Sequence, residues 1–249
     1  MSEEMIPVHP DQAVGFNCVK ENPCFNECCR DLVQALTPYD VLRLKNCLGM
    51  PSQEFLRTYT SRHQGPESGL PVVEFKPNPE TQNQCPFVTP DGCRVYEDRP
   101  ASCRMYPIAR AIARSRKTGV IQEYFALIQE PHCKGFGLAT DPPDLTIRDW
   151  LKGQDVLTHN LHNDKLMELI SLKNRILPGL LDPVQADTFY LALYDLDEFR
   201  ERIRHQGLLA DLDLPDSLLE YLNDDVNLLD FGIHWVRYQL FGIEIDFKG

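Results

Sequence analysis

The stretch Cys85-Pro86-Phe87-Val88-Thr89-Pro90-Asp91-Gly92-Cys93-Arg94-Val95-Tyr96-Glu97-Asp98-Arg99-Pro100-Ala101-Ser102-Cys103-Arg104-Met105-Tyr106-Pro107 sets three cysteines among prolines, a glycine and acids. These neighbours break helices and strands, so the stretch reads as loop carrying thiols at spacings of seven and nine residues. Upstream, Cys18-x5-Cys24-x3-Cys28-Cys29 supplies four more, again in loop-like sequence. Downstream, Cys133 stands in His132-Cys133-Lys134-Gly135. The ninth cysteine, Cys47, lies apart on the apolar face of an expected helix, where a thiol packs as a small hydrophobe.

Three explanations of the other eight compete. Disulfides need an oxidising compartment, and an odd total leaves one thiol over. Met1 to Asp11 has three acids and no apolar core, unlike an export signal, so a cytoplasmic location is expected. Buried thiols scattered through a core would not cluster beside Pro, Gly, Asn and Asp. Metal ligation suits them best, because several thiolates must converge on one soft cation and short loops deliver them at low entropic cost. The expected ligands are Cys18, Cys24, Cys28, Cys29, Cys85, Cys93, Cys103 and Cys133.

Adjacent Cys28 and Cys29 complicate a single site, because consecutive side chains diverge. Either one of them is a reactive thiol rather than a ligand, or two metal centres lie close together. Eight thiols suffice for two four-thiolate centres. Zinc and iron–sulfur clusters both accept such a set. Only Cys24-x3-Cys28 has the short spacing usual for structural zinc, and the wider spacings favour an iron–sulfur cluster. Pro86 and Pro100 are expected to stiffen the ligand loops and keep them out of helices. Arg99 and Arg104 could stabilise a negatively charged thiolate centre or pair with Glu97, Asp98 or Asp31; for Arg30 the ion pair is the simpler reading. His132 adjoins Cys133 and could replace a thiolate, though a loop histidine is more often solvated. His159 and His162, three apart on an expected helix, lack any protease-type acid–histidine motif.

Outward from the cysteines, the chain of 249 residues changes character. No cysteine follows Cys133. Residues 1–140 hold 15 Lys+Arg against 16 Asp+Glu, a net of −1, whereas residues 141–249 hold 10 against 21, a net of −11. A joint is expected at Ala139-Thr-Asp-Pro-Pro-Asp144. The fold expected is α+β: a small cysteine-rich metal-binding module (1–140) with short helices and a β-hairpin, then an acidic helical region (141–249) packed on it. In the module, Thr37-Pro38-x-Asp40 starts a helix that Gly49 ends, and a second helix opens near Pro51-Ser52. Residues 70–76 read as a strand. Ile108–Arg114 and Val120–Gln129 read as a hairpin joined by Arg116-Lys117-Thr118-Gly119.

In the acidic region, Thr146 caps a helix, a longer one covers about Leu157 to Ile176, another Pro183 to Gln206, and the last Asp225 to Leu240. Its apolar residues read as helix core, not as a cofactor box. Apolar runs fall far short of the roughly 20 residues a membrane span needs. A net charge of −12 argues against nucleic acid and anionic membrane as partners. Any protein that the acidic helices dock is expected to present a basic segment.

The run Phe16-x-Cys18…Cys24…Cys28-Cys29-Arg30, then Leu36-Thr37, then Cys85-Pro86-Phe87…Gly92-Cys93-x-Val95-Tyr96-x-x-Arg99-Pro100-x-x-Cys103-Arg104-x-Tyr106-Pro107 resembles the CxxCxxCC cysteine-cluster family, the YkgJ-type zinc- or iron-chelating domain. The resemblance covers about residues 16–137. It departs from the family name in the first motif, whose spacings are five and three rather than two and two. It implies metal or iron–sulfur binding by the cysteines. One larger relative is a lysine N-methylase acting on flagellin, which makes an enzyme the alternative to a metal-binding or structural zinc interaction module. No glycine-rich strand–turn–helix for a nucleotide or S-adenosylmethionine can be read, nor a C-x3-C-x2-C motif.

Overall fold

The computed structural model describes residues 4–31, 33–114, 121–138, 145–210, 212, 215 and 217–245. In chain order the elements are β1 (Glu4–Val8), β2 (Ala35–Leu36), α1 (Pro38–Leu48), α2 (Ser52–Tyr59), β3 (Thr60–Gln64), β4 (Pro71–Phe75), β5 (Val88–Thr89), β6 (Gly92–Cys93), α3 (Ala101–Met105), β7 (Ile108–Arg114), β8 (Ile121–Gln129), α4 (Ile147–Gly153), α5 (Val156–Ile176), α6 (Pro183–Leu193), α7 (Leu196–His205), α8 (Ser217–Tyr221) and α9 (Asp225–Phe241). The class is α+β, as expected. The expected joint 139–144 and the hairpin turn 116–119 lie outside the described residues.

The chain forms two compact units that interleave in sequence. One comprises Met1–Leu32 and Asn78–Asn160, the other Val33–Pro77 and Leu161–Gly249. Composition breaks the chain near residue 140; contacts instead carry residues 33–77 to the acidic helices.

In the first unit β7 and β8 pair antiparallel, from Ile108 opposite Leu127 to Arg114 opposite Ile121. β1 adds to the far edge of β8, giving the order β1-β8-β7. The sheet packs on α4, whose Thr146 and Asp149 form a reciprocal capping box. Val14, Phe16, Ile108, Leu127, Ile147, Leu151 and Val156 make the core, with Cys133 packed against it.

In the second unit Thr37 and Asp40 form a capping box at α1, Pro38 opens the helix, and Gly49 closes it in the left-handed region (φ 63°). A small sheet of order β2-β4-β3 lies beside the helices. Phe189, Leu193, Phe199, Leu228, Phe231 and Trp235 fill the core. Tyr194 donates its hydroxyl to the Leu36 carbonyl at 3.2 Å, tying helix to sheet.

Four expectations need correction. The single helix over Pro183–Gln206 is two, α6 and α7, broken at Tyr194–Asp195. The expected stripe of Phe189, Leu193, Leu196, Phe199 and Ile203 is nonetheless buried. Near α5 the apolar residues expected from their spacing to face inward, Leu161, Leu166, Ile170 and Leu177, do not form the buried face: Leu161 is exposed and the others are half-buried, while Val156, His159, His162, Leu169 and Lys173 are buried. Cys47 is exposed near the end of α1, so it is no core thiol. Cys103 lies on α3, directly after Pro100, which caps that helix rather than keeping the segment out of one. Among the described residues no helix is long and apolar enough to cross a membrane.

Candidate metal centre

All eight expected ligands lie in the first unit, which assembles them from three stretches. Among the described residues no disulfide joins any cysteine. Cys18 and Cys28 are exposed, and Cys24, Cys29, Cys85, Cys93, Cys103 and Cys133 are half-buried.

The backbone explains how remote stretches meet. Phe16 bridges Phe136, and the Asn17 amide donates to the Gly135 carbonyl at 2.9 Å, laying the approach to Cys18 beside the segment after Cys133. The Lys134 amide donates to Cys24 Sγ at 3.2 Å. Asn26 adopts the left-handed region (φ 68°) and starts a 3-10 turn, Glu27–Cys29. Its side-chain amide donates to the Thr89 carbonyl at 2.9 Å, which joins the first cysteine stretch to the second. The Cys85 amide then donates to the Cys29 carbonyl at 2.8 Å. Thr89-Pro90-Asp91-Gly92 turns the chain between β5 and β6, putting Cys93 opposite Val88. Gly92 has φ 119°, a conformation closed to other residues. Asp91-Gly92 is an ordinary hairpin signal, and it could have located this turn from sequence.

The thiols sense one another. A hydrogen bond with Cys29 is the main cause that lowers Cys28 to about 7, against the opposing effect of burial. The same bond, with burial, pushes Cys29 up. Burial raises Cys18, and Cys28, Cys24 and Cys133 add to that rise. Burial also raises Cys85 and Cys93; Arg99 and Arg94 oppose this at Cys93. Beneath Cys133, the Phe16 ring packs against Tyr106, Phe136 and Trp150 at 6.3, 5.1 and 5.4 Å between centroids. The Tyr106 hydroxyl is buried beside Cys133 and Glu130; burial first, then these neighbours, raises its pKa.

The arginines act mainly on backbone. Buried Arg104 donates to the carbonyls of Arg99 (3.1 Å), Gln154 (3.0 Å) and Glu97. Arg99, also buried, donates to the Tyr96 carbonyl at 2.6 Å and to Gln154 Oε1, and stacks on the Tyr96 ring at 3.7 Å. Both therefore brace the loop between Cys93 and Cys103, a role that the sequence did not disclose. Arg104→Met is expected to cost about 2 kcal/mol, because buried carbonyls lose charged donors. Denaturant melts test this; an unchanged midpoint would contradict it. Arg30 does form an ion pair, but with Glu27 at 3.3 Å and not with the partners expected from the sequence.

The histidines take bland places. His132 Nε2 faces Glu130 Oε2 at 3.6 Å. His162 stacks on Tyr39 with ring centroids 4.1 Å apart and faces Asp230 at 3.7 Å. His159 is wholly buried on α5.

Among the described residues, no three His, Cys, Asp or Glu side chains converge tightly enough to hold a metal ion as they stand. The donor chemistry nevertheless fits a thiophilic metal, since eight thiols share one region and none is locked in a disulfide. Enclosing an ion requires the loops to draw inward.

Residues 17–134 match the model of the CxxCxxCC family, "Putative zinc- or iron-chelating domain". This stretch, a little under half of the chain, is similar to the CxxCxxCC domain. Neither a curated protein nor a solved structure matches the chain. The matched stretch includes all eight cysteines of the first unit, and the family's description supports metal binding by them. It also spans residues 33–77, which belong to the second compact unit.

Proposed function

We propose that the CxxCxxCC domain binds an iron–sulfur cluster through cysteine thiolates, with a redox or modification role. The observation that carries this is the assembly of eight unbridged thiols from residues 18–29, 85–103 and 133 into one compact unit. The cluster would supply electron transfer or Lewis acidity. The protein's own residues deliver the thiols, brace their loops through Arg99 and Arg104, and back Cys133 with the Phe16 cluster. Thiols not joined in disulfides persist in a reducing compartment, which supports a cytoplasmic location. The acidic helices of the second unit would dock a basic protein segment.

Protein purified without air tests this. Iron, acid-labile sulfide and broad absorption near about 400 nm are expected of thiolate-bound iron. A colourless sample with stoichiometric zinc would replace this reading with a structural zinc module.

A further inference from the structure

We infer that the eight thiols divide between two adjoining metal centres, Cys18, Cys24, Cys28 and Cys133 at one and Cys29, Cys85, Cys93 and Cys103 at the other. This rests on the metal-binding reading above and gives the adjacent pair Cys28-Cys29 a reason to exist.

The backbone supports the division. Cys24 accepts from the Lys134 amide, the residue after Cys133, and the stretch before Cys18 is hydrogen-bonded to Gly135. The first group is thus drawn together by the segment 133–136. On the other side, the Cys85 amide bonds the Cys29 carbonyl, and the Arg94 amide returns to the Phe87 carbonyl at 2.9 Å, which brings Cys93 back toward Cys85. Arg104, next to Cys103, grips the carbonyls of Glu97 and Arg99 and ties α3 to the loop that follows Cys93.

Cys28 and Cys29 sit on a 3-10 turn. With three residues per turn, their side chains leave the axis about 120° apart. They are consecutive on that turn, so the two centres lie next to each other. On metal binding each ligating thiol releases its proton to solvent.

Cobalt(II) added to the full-length, reduced protein without air tests the division, with bound metal counted by native mass spectrometry and by sulfur-to-cobalt absorption. Wild type is expected to bind two ions. Cys133→Ser and Cys103→Ser should each bind one, and the retained ion shows that the variant still folds locally. Cys28→Ser combined with Cys133→Ser should keep one ion, whereas Cys28→Ser combined with Cys103→Ser should keep none. Cys29→Ser should show the reverse pattern. One ion in wild type, lost in every variant, would overturn the division and leave the metal-binding reading standing. No ion in wild type would overturn both.

Discussion

Stripping the metal from loaded protein is expected to speed amide exchange by on the order of 100-fold in residues 18–29, 85–103 and 130–136, as for loss of a ligand present at about 100 times its dissociation constant. The reason is the spacing of the thiols. No three acids, histidines or cysteines among the described residues converge around an ion, so loading must pull the loops inward and hold them there. Apart from the start of the short helix α3, these stretches hold only 3-10 turns and the two-residue strands β5 and β6. The metal therefore contributes order that the chain alone does not, as in other sites where binding and local folding are coupled. The second unit has its own core and should not respond. Exchange measured by mass spectrometry before and after chelation decides the matter. Equal exchange in both states would show that the loops are set without metal.

Asp225→Ala is expected to destabilise the second unit by about 3 kcal/mol, because it strands a buried cation. Lys45 is only 4% exposed, and its ammonium lies 2.8 Å from Asp225 and 3.3 Å from Asp197. Asp225 also accepts from Asn46 at 2.9 Å and pairs with Arg200. Arg200 in turn holds Asp197 at 3.0 Å. Asp197 still faces Lys45 in the variant, which keeps the loss at the lower end of the range.

The same network sets a pH dependence. Burial pushes the Asp225 carboxyl up, but hydrogen bonds from Lys45, Arg200 and Asn46 outweigh it and bring the pKa to about 2. A folded-state pKa below the unfolded value stabilises the protein above the unfolded value. That stability, about 2 kcal/mol, is lost as pH falls from about 4 to about 2. Asp225→Asn should remove this component, so the wild-type and variant stability curves should converge toward pH 2. Parallel curves would show that the carboxylate does not act in this way.

What the sequence disclosed was local. The capping box of Thr37 with Asp40, the Gly49 stop and the β7–β8 hairpin follow from near neighbours, and each is present. The break between α6 and α7 was hidden, because apolar residues at 189, 193, 196, 199 and 203 keep helical spacing straight through it. Cys47 misled for a related reason: it follows Leu44 by three residues, but the buried face of α1 has ended by then. The pairing of β2 with β4 and the docking of α2 beside α7 join residues far apart in sequence. No short pattern encodes such pairing, so the interleaving of the units could not be read. At the candidate site the ligand type was legible from thiols in loops. Their grouping was not, since it depends on contacts such as Lys134 to Cys24 and Cys85 to Cys29.

X-ray absorption at the edge of the bound metal, on protein loaded and kept free of air, tests most directly whether cysteine sulfur holds it. The expected nearest shell is sulfur at about 2.3 Å, the thiolate–metal distance. A shell made only of nitrogen and oxygen at about 2.0–2.2 Å would contradict the account, because the cysteines would then not be the ligands.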